Sequence, residues 1–146
     1  MAINKSAIFV EKPQLWTAAL TNQTLTRDGV TGAGVLLGTA SESGFLVYSA
    51  WAIPAGDFTA NVLRLFRIAS GATAKDLLLE TSIPAAAGTT NAAAIARTAM
   101  QLPDVLTPTG SFGLLLSPGD QLYAALGTAS GVALRVSLHG GQYQFS

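Results

Sequence analysis

The sequence has no cysteine and a single histidine, His139. Without cysteine there are no disulfides, no thiolate nucleophile and no thiolate metal site. A single imidazole leaves little for acid–base chemistry, and no G-x-S-x-G elbow stands beside it to supply an activated serine. Charge is scarce as well. Lys, Arg, Asp and Glu make up 11% of the 146 residues, against about 25% in an average soluble protein. Eight basic and eight acidic residues cancel, several as adjacent opposite pairs such as Glu11–Lys12, Arg27–Asp28 and Lys75–Asp76. No basic patch exists to release counterions from nucleic acid or to dock on anionic lipid. Long apolar runs are missing too. The longest, "GFLVYSAWAIPAG", is about half a membrane span and is interrupted by Pro54. Near the start, the apolar run Ala7 to Val10 is too short for a secretory core, which needs about seven residues. The expectation is a chain made in the cytoplasm without a signal, and soluble there.

What is abundant is small and apolar. Hydrophobic residues reach 49%, and the length suits one domain that buries about 70% of its unfolded surface. The remaining surface is built from Ala, Thr, Ser, Gly, Asn and Gln, with few charges to oppose association. That composition predicts an outside covered in large part by copies of the chain or by a partner.

The search for chemistry returns no site. Asp28, Asp57, Asp104 and Asp120 each adjoin Gly or Pro, where a carboxylate commonly bonds its own backbone. No local spacing pairs two carboxylates for glycoside hydrolysis, and no D-x-D-x-D-G or H-x-x-x-H cluster offers metal ligands. In "DGVTGAGVLLG" the third glycine falls one place late for a phosphate loop, and the residues after it read as a strand instead of a helix. No catalytic, cofactor-binding or metal residue is assigned, and no small-molecule substrate is implied.

Period-2 alternation dominates the pattern, punctuated by Gly, Pro, Asn and Asp, which predicts an all-β, antiparallel, jelly-roll-like β-sandwich. In "GVALRVSLHGG", Leu134, Val136 and Leu138 share one face, and Arg135, Ser137 and His139 the other. "GDQLYAALGTASG" turns Leu122, Ala124 and Leu126 inward and Gln121 and Tyr123 outward. "SESGFLVYSAWAIPAG" is apolar on both parities and suits a central strand packed on both faces. "QLWTAAL" and "DLLLETSIP" supply further strands, and "GQYQF" a separate last one. One ambiguity stays open over residues 91–100. Ala92, Ile95, Ala96, Ala99 and Met100 fall at helical spacing, while Ile95, Arg97 and Ala99 also fit one face of a strand. The domain expectation is an N-terminal arm or edge strand over 1–14, carrying Ile3, Ile8 and Phe9, then one sandwich over 15–146.

Two arginines frame a question of facing. Arg64 and Arg67 in "VLRLFRIASG" are an odd number of positions apart, so a strand points them to opposite faces. One is expected at a partner. The other is expected to pass the core edge and pair with Glu80 or a turn carboxylate. Among the aromatics, Trp16 and Trp51 lie in dense apolar strands and suit core or interface packing. Tyr123 and Tyr143 point away from their apolar neighbours and, with Arg135 and His139, are contact candidates.

Four segments carry a resemblance: "TANVLRLFRI", "LLLETSIPA", "LSPGDQLYAAL" and the closing "VSLHGGQYQF". They resemble the N-V-x-R-L-F, L-x-E-x-x-x-P-A, L-x-x-G-x-x-L and G-G-x-Y patterns of small β-sandwich structural proteins of tailed bacteriophages, the capsid decoration or cement proteins. The matching positions are Asn61, Arg64, Leu65, Phe66, Leu78, Glu80, Pro84, Gly119, Leu122, Gly140, Gly141 and Tyr143, within residues 30–146. Gln142 departs from the pattern, since the group usually has an acidic residue there. The resemblance implies a decoration protein on the outside of the virion head, stabilising contacts between major capsid subunits. Its partners would be the major capsid protein and copies of itself, as a homotrimer. A tail or fibre module binding a host-surface glycan or protein is the alternative. Arg64, as part of the shared pattern, is taken as the paired structural arginine and also counts among the interface candidates, and the 1–14 arm is the element expected to reach a neighbour.

Overall fold

The computed structural model describes residues 10–87, 93–102, 105–106 and 112–143. Ten strands run β1 Val10–Leu20, β2 Val35–Thr39, β3 Phe45–Pro54, β4 Asn61–Ile68, β5 Asp76–Ile83, β6 Thr98–Ala99, β7 Val105–Leu106, β8 Phe112–Leu116, β9 Gln121–Leu126 and β10 Leu134–Tyr143. They form two sheets, β1-β10-β3-β8-β7 with β6 also on β3, and β2-β9-β4-β5. Every strand pairing is antiparallel.

The order has a simple generator. Start at the β4–β5 hairpin and move outward along the chain in both directions: β3 meets β8, β2 meets β9, and β1 meets β10. A long hairpin rolled up in this way places alternate pairs in opposite sheets, which is the jelly-roll arrangement of a β-sandwich. The expected fold class is the observed one.

The core lies between the sheets. Trp16 stacks on Phe45 with ring centroids 4.0 Å apart and planes 15° from parallel. Leu63, Leu65, Leu122, Ala124 and Leu126 answer from the smaller sheet, and Leu134, Val136 and Leu138 from β10. Alternation reads these faces correctly, because a strand's side chains switch sides at each residue. At the "SPGD" turn, Pro118 and Gly119 take the two central positions, with Gly119 at φ 84° and the Asp120 N–H donating to the Ser117 carbonyl at 3.0 Å. Those are the residues a type II turn demands. The buried Asp120 carboxylate accepts the N–H groups of Ser117 and Ser70, each at 3.0 Å, joining the β8–β9 turn to the β4–β5 turn.

Four expectations change. Over 93–102 the described residues contain no helix, and of the expected strand only Thr98–Ala99 forms, paired with Ala52 and Trp51, while Ile95 and Arg97 lie outside it. The run of alanines gives a helix too little bulk to bury, whereas a short strand borrows the edge of β3. Residues 91 and 92 lie outside the described residues. At the N-terminus, Val10 to Gln14 already belong to edge strand β1, paired with Tyr143 to Gly140, so the boundary expected after Gln14 falls no later than Val10. Pro13 is tolerated there because an edge strand leaves one side of its backbone unpaired. The expected separate last strand is continuous with its predecessor. A register shift between His139 and Gly140 absorbs Tyr48 of β3 as an extra residue, and β10 runs unbroken to Tyr143. Finally, β3 is buried on both faces only at its start, where Leu46 lies opposite Phe45 and Val47; further along, Ser49, Trp51 and Ile53 on its outer face are half-buried.

Gly38 sets the depth of the Trp16 pocket. A Cβ at this position lies 2.3 Å from the Trp16 ring, and that ring is held from beyond by Phe45. Gly38→Ala is expected to lower unfolding free energy by about 1–3 kcal/mol, read as a urea midpoint shift. Gly131→Ala, with nothing within 4 Å, is expected to stay within about 0.5 kcal/mol.

Candidate interaction surface

A sandwich has two outer faces, and this chain treats them differently. On the smaller sheet, Arg64 and Phe66 of β4 and Tyr123 and Ala125 of β9 point outward, opposite to Leu63, Leu65 and Ala124. The segment between β1 and β2 crosses this face. Its Leu25, 2% exposed, packs with Phe66 and Ala125, flanked by Leu77 and Tyr123. The backbone is tied down beside it, with the Leu126 N–H donating to the Gln23 carbonyl at 2.8 Å.

An ion cluster closes the arrangement. Arg64 donates from Nη1 to the Leu25 carbonyl at 2.7 Å and from Nε to Glu80 Oε1 at 2.8 Å. Arg27 of the crossing segment donates from Nε to the same Glu80 oxygen at 2.6 Å. The hydrogen bond from Arg27, then that from Arg64, hold the Glu80 carboxyl below its ordinary value. At the segment's tip Asp28 accepts from the Thr26 hydroxyl and the Val30 N–H, which lower its pKa in that order. Gly29, at φ 73°, completes the turn where a side chain would strike the Lys75 carbonyl.

Arg64 is therefore paired with Glu80 as expected, but beneath a covering segment on the outer face. At 9% exposure, with donors engaged inside the chain, it is not a contact residue. Arg67 takes the opposite, inner side in the Leu122 row at the end of the sheet, and its buried Nε has no hydrogen-bond partner among the described residues. Tyr123 is half-buried in the covered cluster, its ring under Lys75 Nζ at 5.8 Å, so it lines no open groove.

Among the described residues no segment crosses the larger sheet over the rows through Leu15, Thr17 and Ala19, whereas nearer the start of β3 the outward Leu46, between Gly141 and Leu115, is buried. Three rows of outward residues run across the sheet: Leu15, His139 and Ser49; Thr17, Ser137, Trp51 and Ala99; Ala19, Arg135 and Ile53. Neighbours in such rows stand about 4.5–5.5 Å apart. Leu15 is 54% exposed. Trp51 is half-buried, with His139 at 4.4 Å between ring centroids and the exposed Arg97 cation 5.0 Å from its ring. Arg135 is exposed beyond them. Of the outward positions described on these strands, none carries a carboxylate.

The expected contact residues thus separate. His139 and Arg135 share the open face, whereas Tyr123 and Arg64 belong to the covered one. Ile3, Ile8 and Phe9 lie outside the described residues, as does the side chain of Tyr143, whose backbone ends β10. Leu15 and Arg97, which also lie on this face, are not among the expected contact residues, and Trp51 is expected in core or interface packing. The signal for Trp51 was its spacing between Ala50 and Ala52, which face the core, but apolar residues on both parities masked it. Among the described residues no group of three or more His, Asp or Glu is placed to hold a metal ion. Comparison with protein-family models, with curated proteins and with solved structures returns no match.

The Arg64–Glu80 bond carries the testable energetics of the covered face. Arg64→Met leaves the Leu25 carbonyl and Glu80 short of donors and is expected to cost about 1–3 kcal/mol by urea unfolding. Because the Glu80 pKa is lowered by folding, its contribution is complete above the ordinary value of 4.5 and is lost as pH falls through the lower folded value. The penalty of Glu80→Gln is therefore expected to be full at pH 7 and to shrink below pH 4.5.

Proposed function

We propose that this chain is a structural protein of a tailed-phage virion, a decoration or cement protein. It would bind the outside of the head and stabilise contacts between major capsid subunits. The observation that carries the reading is the open face of the larger sheet. Leu15, Trp51, Ile53 and Ala99 lie outward on a chain with 11% charged residues, a combination that suits a surface completed by another molecule. Resemblance to small phage sandwiches and the jelly-roll order, which recurs in viral capsid domains, support it by analogy.

The mechanism asks no chemistry of any side chain. Each copy buries apolar area and closes polar contacts across a subunit junction, and modest contacts summed over a shell raise its resistance to rupture. The major capsid protein is the partner, with further copies of the chain assembled as a trimer at the lattice symmetry points. The expected arm needs redrawing in this scheme. Removing residues 1–14 also strips the β1 pairs at Val10, Lys12, Pro13 and Gln14, so the deletion that tests particle binding without damaging the sheet stops at residue 9.

Immunogold labelling of particles from the source lysate, with copy number by quantitative mass spectrometry, tests the reading. Gold over the heads at hundreds of copies per particle is the expected result. Gold confined to the tail at a few copies replaces it with host recognition, and unlabelled particles overturn it.

A further inference from the structure

We infer that the open face of the larger sheet is a docking surface for an acidic patch on a protein partner, gripped by Arg97 and Arg135 around an apolar centre. The inference deepens the reading of the chain as an interaction protein and rests on it.

Three observations converge on this face. First, the alternative face is already occupied, since Leu25 and the Arg27–Glu80–Arg64 cluster fasten the chain's own segment over it. Second, the charges of the open face have one sign. Arg135 and Arg97 are exposed and His139 lies between them and Leu15, while none of the described outward positions on β1, β10, β3 or β6 is acidic. Asp28, Asp76 and Glu80 lie on the other side or its rim. Third, the cations surround apolar area. Leu15 is 54% exposed, and the Trp51 ring is capped by Arg97 at 5.0 Å and His139 at 4.4 Å.

Those features select the partner's chemistry. Two arginines and a histidine are too few to hold nucleic acid by counterion release, which draws on many phosphate contacts. Leu15, Ile53 and Ala99 between them would be left wet against a sugar–phosphate backbone. A second copy meeting the same face would oppose Arg135 and Arg97 to their own kind. What fits is a protein surface with Asp or Glu at its margin, where the guanidinium forks pair bidentately, and apolar side chains at its middle. Such rim pairs set orientation and encounter rate, and the apolar centre sets residence time.

The test uses the full chain in its producing cells. A photo-crosslinking residue, p-benzoylphenylalanine, replaces Leu15 or Ile53 on the open face, or Leu36 on the opposite side, where it is 43% exposed. Capture from positions 15 and 53 is expected, onto a partner segment that carries Asp or Glu. Arg97→Glu with Arg135→Glu is expected to cut that capture about tenfold with the thermal midpoint unchanged, and Arg97→Lys with Arg135→Lys to restore part of it. Capture confined to position 36 overturns the inference. So does capture indifferent to charge reversal, capture of a second copy of the chain, or no capture from any position. If the captured protein is the major capsid protein, the inference and the virion reading stand together. If another acidic protein is captured with the same charge dependence, the inference stands and the virion reading falls. If the capsid protein is captured only through position 36, the reverse holds.

Discussion

One carboxylate oxygen, Glu80 Oε1, accepts a hydrogen bond from Arg64 at 2.8 Å and another from Arg27 at 2.6 Å. The pairing joins an inner strand to the segment between β1 and β2, which backbone hydrogen bonds and the buried Leu25 also hold. Arg64 is nearly buried and Glu80 partly so, which places the pair where water screens it less than a surface ion pair. Arg64 also donates to the Leu25 carbonyl, so the same guanidinium satisfies a buried acceptor and holds Leu25 on Phe66. Together with the Leu25 packing, this contact fastens the segment over the outer face of the smaller sheet.

The rest of the architecture follows from how a long hairpin rolls up. With β4–β5 as the tip, each successive pair lands in the opposite sheet, and the two longest partners of the outer wrap, β1 and β10, meet along ten positions. β10 is enclosed between β1 and β3, which is why its alternation is the cleanest in the chain: Leu134, Val136 and Leu138 are fully buried, and Arg135, Ser137 and His139 face out. The bulge at His139 and Gly140 then lets Gly140 approach the Leu46 carbonyl, where a Cβ would lie 2.3 Å from that oxygen. The paired glycines near the chain's end are therefore a packing requirement of the central strand.

Much of the fold was legible because period-2 patterning is a local property. The inward faces of β9 and β10, the Pro-Gly turn at 118–119 and the turn role of Asp120 were all read from neighbours within a few residues. Odd and even spacing placed Arg64 and Arg67 on opposite faces, and only the resemblance picked Arg64 as the one to pair with Glu80 or a turn carboxylate. Residues 91–100 were not legible, because alanine at every third or fourth position fits a helix and a strand alike, and only the unpaired edge of β3 decides between them. The composition of the outer face of the larger sheet was legible in part. Arg135 and His139 were found on the strand with clean alternation. Tyr123 was misjudged because its outward face is covered by a segment about a hundred residues earlier, and Arg97 lay in the ambiguous stretch.

The sequence by itself determined a low-charge, cysteine-free β-sandwich with its strand faces assigned, since composition and alternation act residue by residue through burial. The tertiary structure alone decided which of the two outer faces is left open, and that Trp51, His139 and Arg97 meet there. Such contacts join positions 51, 97 and 139, far apart in the chain, and their energy comes from a rolled-up topology that no local spacing encodes.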